Sequence, residues 1–150
     1  QDILNEKQVQ AFSKDKYIHF MGAINPTKLQ QIYRDADIAL HVESFDKKNM
    51  YATMYSFSTK IIDLMASTCA IMAICWDENN GWKYLKSNDA AICLSKISQI
   101  LPTFKKLTEN PLIISGYALK AYNCAKNNHS REKIQKQIRD KFSTIVHENM

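Results

Sequence analysis

Turn-formers are scarce in this chain, with three Gly and three Pro in 150 residues. So few disfavour a sandwich of many short strands joined by tight turns and favour long helices. No apolar run reaches the roughly 18–20 residues that a membrane-spanning helix requires, and the start lacks the basic-then-apolar pattern of a secretory signal. No P-loop, GxGxxG, HExxH or Ser/His/Asp arrangement occurs, which disfavours a nucleoside triphosphatase or a dinucleotide site. There is no CxxC either: Cys69, Cys75, Cys93 and Cys124 lie too far apart for a zinc or redox motif. They read as buried thiols packed as small hydrophobes, so no metal site is expected and a reducing cytoplasm is the expected location. The chain opens on Gln1 rather than Met, and the expectation is a piece of a longer protein.

What is present fits one soluble domain over residues 1–150, since 45% hydrophobic and 23% charged residues suffice for a single core. The formal charge of +5 is unevenly spread: residues 103–150 carry 9 Lys/Arg against 4 Asp/Glu, while the preceding residues balance at 11 of each. A basic tail can face an anionic membrane, nucleic acid or acidic protein, or be a solvated helix face.

Along the chain, residues 2–12 read as a helix end and Tyr17–Met21 as a short strand closed by Gly22. Asn25-Pro26 turns into a helix through Leu29, Ile32 and Tyr33, and Asp37–Val42 is a buried strand. Residues 43–56 form a polar and aromatic loop without helical or strand periodicity, long for a connection in a compact domain. Ser56 or Ser58 is placed to cap a helix that buries Ile61, Ile62, Leu64 and Met65. The strand Ala70–Cys75, a short helix with Trp82, Tyr84 and Leu85, and a fourth strand Ala90–Leu94 follow. Residues 96–150 are a helical segment, in pieces 96–108, 111–127 and 130–147. Strands alternating with helices predict an α/β fold, a Rossmann-like parallel sheet flanked by helices.

Ligands of such sheets bind beyond the carboxyl ends of the strands. Three segments converge there: Gly22–Asn25, Tyr55–Lys60 and Trp76–Gly81. In the second, Ser56, Phe57, Ser58 and Thr59 bring backbone N–H groups to a helix start with Lys60 adjacent, which suits an anion such as a diphosphate. The competing reading is a serine that only caps the helix and a solvated Lys60. Asp63 either accepts hydrogen bonds from ribose hydroxyls or complements the helix dipole. His41 and His19 sit on strand patterns, where a satisfied core histidine is favoured over a catalytic base, and His19 is left unassigned; Trp76, Trp82 and Tyr84 either stack on a base or brace the loop, with core packing favoured.

Tyr17-Ile-His-Phe-Met-Gly22, Ala36-Asp-Ile-Ala-Leu40, His41-Val-Glu-Ser-Phe-Asp46 and Ser56-Phe-Ser-Thr-Lys60, continued by Ile61 to Ala66, stand in an order and spacing that resembles the C-terminal domain of family-4 GT-B glycosyltransferases of the bacterial surface-polysaccharide type. The resemblance runs from about residue 17 to about residue 95. It implies the donor-binding half of a retaining, metal-independent enzyme without cofactor, whose donor is a nucleoside-diphosphate sugar of UDP or GDP type. The acceptor, a glycan or lipid-linked sugar, would bind an N-terminal domain outside this sequence. Gly22, Ser56–Lys60 and Asp63 would hold the donor.

Two departures from the family matter. Its site is framed by two Glu residues separated by seven others, the first contacting the sugar and the second the ribose. The second falls on Asp63, the first on Tyr55, which cannot act as a carboxylate. The sugar contact is then lost, supplied by Glu43 from the long loop, or made by a different hydrogen-bonding scheme. Glu43 also reads as an exposed loop carboxylate. The Arg and Lys that neutralise the family's diphosphate would lie before Gln1, as would its first strands, so weak binding, catalysis resting on Lys60 and Glu43 only in the whole enzyme, and an exposed sheet edge open to dimerisation are the expectations. Peripheral contact with the inner membrane face is a further expectation, and nucleic acid is not expected as a partner. The rival readings are a non-enzymatic α/β ligand-binding or signalling module and an anionic-membrane or nucleic-acid binder using the basic tail.

Overall fold

The computed structural model describes residue 10 and residues 13–148, which divide into two compact units, residues 1–30 and 31–150. In the first unit, the segment expected as a strand at Tyr17–Met21 forms no strand: Tyr17 lies in a turn and is 79% exposed. Its local bonds are those of a turn: the Asp15 carboxylate accepts from the Tyr17 N–H at 2.9 Å and the Asp15 carbonyl from the Ile18 N–H at 3.1 Å. An Asx turn directs the chain here, so local turn chemistry prevails over the apolar composition that suggested a strand. The helix expected over residues 2–12 falls almost wholly outside the described residues.

The elements run α1 (Pro26–Asp35), β1 (Ile38–Val42), α2 (Lys47–Thr53), α3 (Lys60–Ala66), β2 (Ala70–Ile74), α4 (Asn80–Ser87), β3 (Ile92–Leu94), a 3₁₀ turn (Ile97–Gln99), α5 (Ile100–Glu109), α6 (Leu112–Asn128) and α7 (Arg131–Glu148). The three strands are parallel in the order β1-β2-β3, with Ile38 opposite Ala70 and Met72 opposite Ile92. Spatial order follows chain order, as two successive strand–helix–strand units require. The fold is therefore α/β, a three-stranded parallel sheet flanked by helices of the Rossmann-like kind.

Every residue of β2 is buried, which is why Ala70–Ile74 reads as a continuous apolar run. Side chains of a strand alternate between faces, and the core divides accordingly. Ala39, Ile71 and Ala73 pack with Ile61, Leu64 and Met65 of α3, Leu85 of α4 and Ala121 of α6 on one face. Met72, Ile74, Ile92 and Leu94 pack with Leu107 of α5 on the other. Helix α6 serves both: Ile113, Ile114 and Tyr117 join the second cluster, and Ala121, Cys124 and Ala125 the first. In β1 the two faces are covered unequally: Ala39 and His41 are buried, whereas on the other face Ile38 packs against the second cluster and Leu40 and Val42 stay 54% and 57% exposed.

The polar stretch after β1 departs from the expected plain loop. Asp46 accepts from the Asn49 N–H at 3.3 Å and caps α2 over Lys47–Thr53. None of its residues is buried, so it is held by local capping rather than by an apolar face and leaves no periodic trace in the sequence. Between α4 and α6, the Tyr84 hydroxyl meets His129 Nε2 at 2.7 Å, Cys124 Sγ at 3.4 Å and the Asn128 amide at 3.2 Å, pinning the two helices together.

Candidate functional site

Parallel strands place all three carboxyl ends on one edge of the sheet. At that edge the Glu43 N–H donates to the Ile74 carbonyl at 3.1 Å, so Glu43 stands beside the end of β2 at the point where the chain leaves the sheet. The Cys75 N–H donates likewise to the Leu94 carbonyl at 3.1 Å, carrying the ladder one residue past β2. Cys75 Sγ points back to the His41 carbonyl at 3.8 Å.

His41 is only 5% exposed, and its Nε2 is buried without a hydrogen-bond partner. Glu43 Oε1 lies 3.9 Å from that nitrogen, an ion-pair distance but too long for a hydrogen bond. Burial pushes the His41 pKa below its ordinary 6.5; the Glu43 carboxylate opposes this and the Lys60 ammonium adds to it. The end of β1 and the start of α3 thus bring Glu43 and Lys60 within electrostatic reach of His41. Glu43 is half-buried, whereas Tyr55 is 84% exposed in the turn after α2.

The start of α3 differs in detail from the expected cap. Thr59 occupies the N-cap position in a helical conformation and makes no side-chain cap bond, so neither Ser56 nor Ser58 caps the helix. Ile61 and Ile62 N–H groups donate to the Ser58 and Thr59 carbonyls at 3.0 and 3.1 Å, tight turns that occupy two of the helix-start donors. Ser56 is exposed and Ser58 half-buried. Phe57 sets its ring edge-on against Tyr84 at 5.3 Å between centroids, which ties the loop to α4. Lys60 is the first residue of α3 and Asp63 lies three further on; both are exposed, and that spacing puts them on one helix face. Gly22 belongs to the first unit, with a left-handed φ of 63° and no atom where a Cβ would sit, so backbone conformation alone accounts for glycine there.

The third converging segment is the start of α4. Asn79 is buried and caps that helix, its Oδ1 accepting from the Trp82 N–H at 3.1 Å. Trp82 Nε1 donates to the Leu94 carbonyl at 3.3 Å, so this indole braces the end of β3. Trp76, just past β2, is buried with an unpartnered Nε1. Gly81 lets α4 approach β1 and α3 closely: a Cβ there would lie 2.6 Å from Ile61 Cδ1 and 3.7 Å from His41 Nε2. The unpartnered His41 nitrogen and the glycine beside it are features sequence reasoning passed over, because a buried histidine on a strand is ordinarily satisfied.

The chain has no match among protein-family models, curated proteins or solved structures. Two concavities lie elsewhere in the second unit. A groove of about 630 Å³ runs along α7 past Ile134, Ile138, Phe142 and Ile145, and a polar hollow of about 420 Å³ lies among Asp89, Lys120 and Asn127 at the end of α4. Neither is lined by a residue of the carboxyl edge. Burial raises the Cys75 thiol to about 12 and the Cys93 thiol to about 11, so both stay protonated at neutral pH and are poor nucleophiles. Among the described residues no cluster of three His, Cys, Asp or Glu comes together, and no helix is long and apolar enough to cross a membrane.

Proposed function

We propose that this chain is the nucleotide-sugar-binding part of a retaining, metal-independent GT-B glycosyltransferase, with the donor seated on the carboxyl edge between β1 and the start of α3. The observation that carries the reading is the approach of the Glu43 carboxylate to the buried His41 imidazole at that edge, with exposed Lys60 at the start of α3 acting on the same ring. An open α/β sheet binds ligands at this edge, and the chain that bears Glu43 leaves the sheet there on its way to the start of α3.

Roles follow from chemistry. Lys60 is the cation available to a diphosphate, and its charge would also stabilise the negative charge that grows on the leaving diphosphate as the glycosidic bond breaks. Asp63, one turn along the same helix face, is placed for ribose hydroxyls. Of the two positions open to the sugar-contacting carboxylate, Glu43 is favoured over Tyr55, because it is held at the sheet edge by the bond to Ile74 while Tyr55 is a solvent-facing phenol. With tight turns occupying two donors of the helix start, and no second cation beside Lys60 in this reading, binding by this chain alone is weak; each missing charge-assisted hydrogen bond costs about 1.5–3 kcal/mol. Exposed Lys60 and Asp63 suit a donor that a second domain must cover before transfer.

The test is amide chemical-shift mapping of the labelled chain titrated with UDP and with GDP. Shifts concentrated at Glu43 and at Ser58 to Asp63 are expected for one of them. Shifts confined to α7, or to none of these residues at millimolar nucleotide, contradict the assignment.

A further inference from the structure

His41 has a buried ring nitrogen with nothing to bond to, and folded proteins rarely tolerate that. Its surroundings narrow the choice of partner. On one side the start of α4 closes the ring in at Gly81, where a Cβ would lie 3.7 Å from Nε2. The nearby Asn79 Oδ1 is already committed to the Trp82 N–H. Cys75 at the end of β2 engages the His41 carbonyl, not its ring. The charged groups acting on the imidazole are Glu43, just past the end of its strand, and Lys60 on α3; the start of α4 presents Asn79, Asn80 and Gly81, none of them titratable. Glu43 Oε1 is 3.9 Å away, and a side-chain movement of about 1 Å brings it to hydrogen-bond distance.

We propose that His41 is a positioning residue, whose Nε2–H donates to the Glu43 carboxylate and holds it at the sheet edge facing a hydroxyl of the donor sugar. A neutral imidazole carries one N–H, and a carboxylate next to Nε2 selects the tautomer with the proton on that nitrogen. Glu43 keeps its second oxygen free for the ligand. The sugar half of this inference rests on the donor-site reading above; the His41–Glu43 hydrogen bond does not.

Two measurements on the whole chain separate the halves. Long-range proton–nitrogen NMR of the histidine side chains is expected to find His41 neutral at pH 7 with Nε2 protonated, its signal moving and its pKa falling further in Glu43→Gln. A bare Nε2 with the proton on Nδ1, or no response to Glu43→Gln, overturns the hydrogen bond whatever the ligand. The second measurement compares affinity for UDP with UDP-glucose, and for GDP with GDP-mannose. His41→Phe is expected to weaken the nucleotide sugar about tenfold while leaving the nucleoside diphosphate unchanged. His41→Gln, whose amide N–H falls near the place of Nε2, is expected to restore the difference. Equal weakening of both ligands, or no rescue by His41→Gln, overturns the positioning role. No binding of any nucleotide by the unaltered chain removes the sugar half and leaves the tautomer result to decide the hydrogen bond.

Discussion

A methyl group on Gly81 would sit 2.6 Å from Cδ1 of Ile61, a residue with no exposed surface at the centre of the first core cluster. The same methyl would stand 3.2 Å from the Asn79 oxygen that caps α4. Gly81→Ala gains about 1 kcal/mol in helix propensity, but overpacking a filled core costs about 1–3 kcal/mol and here also disturbs a cap. The expected outcome is a net loss of stability in urea unfolding, whereas Gly116→Ala, on α6 with open space around it, stabilises.

His41 makes stability depend on pH with a definite sign. Burial first, and Lys60 in the same direction, hold its folded-state pKa below 6.5 against the pull of Glu43, while the unfolded chain protonates at the ordinary value. Between the two values the unfolded state binds the extra proton, so stability falls as pH drops below about 6.5. In unfolding series from about pH 7 to pH 5, His41→Gln is expected to lose this part of the slope. An identical slope in the variant contradicts the burial of a neutral imidazole.

The cysteines supply a chemical check. With their thiols raised to about 12 and about 11, Cys75 and Cys93 are expected to resist alkylation by iodoacetamide near pH 8 in the native protein and to react on unfolding. Peptide mapping that finds Cys75 modified at the rate of a free thiol would contradict the buried β2 end.

Much of the architecture was legible from hydrophobic pattern, because the elements that bury a face declare it. The run Ala70–Ile74 is a central strand covered on both sides, and Ile61, Leu64 and Met65 repeat at helical spacing. What misled is equally physical. Tyr17–Met21 is apolar enough for a strand yet forms none, because the Asx turn at Asp15 sets the course of the chain. Helix α2 buries no residue and rests on the Asp46 cap, so periodicity had nothing to detect. At the site, the convergence of loops on the carboxyl edge follows from topology alone, and Trp76–Gly81 was found that way. The cap expected from Ser56 or Ser58 was not legible, because which hydroxyl caps depends on backbone angles that place Thr59 inside the helix. The unpartnered His41 nitrogen depends on the approach of α4 at Gly81, a tertiary contact between residues forty apart in the chain.

The most direct test of the donor-site account is saturation-transfer NMR of this chain against UDP, GDP, CMP and ATP at millimolar concentration, repeated with Lys60→Ala and Asp63→Ala. The account predicts that UDP or GDP stands out and that both variants weaken that signal about tenfold or more while circular dichroism stays unchanged. Equal signals from all four nucleotides, or affinity unaltered in both variants, would contradict it.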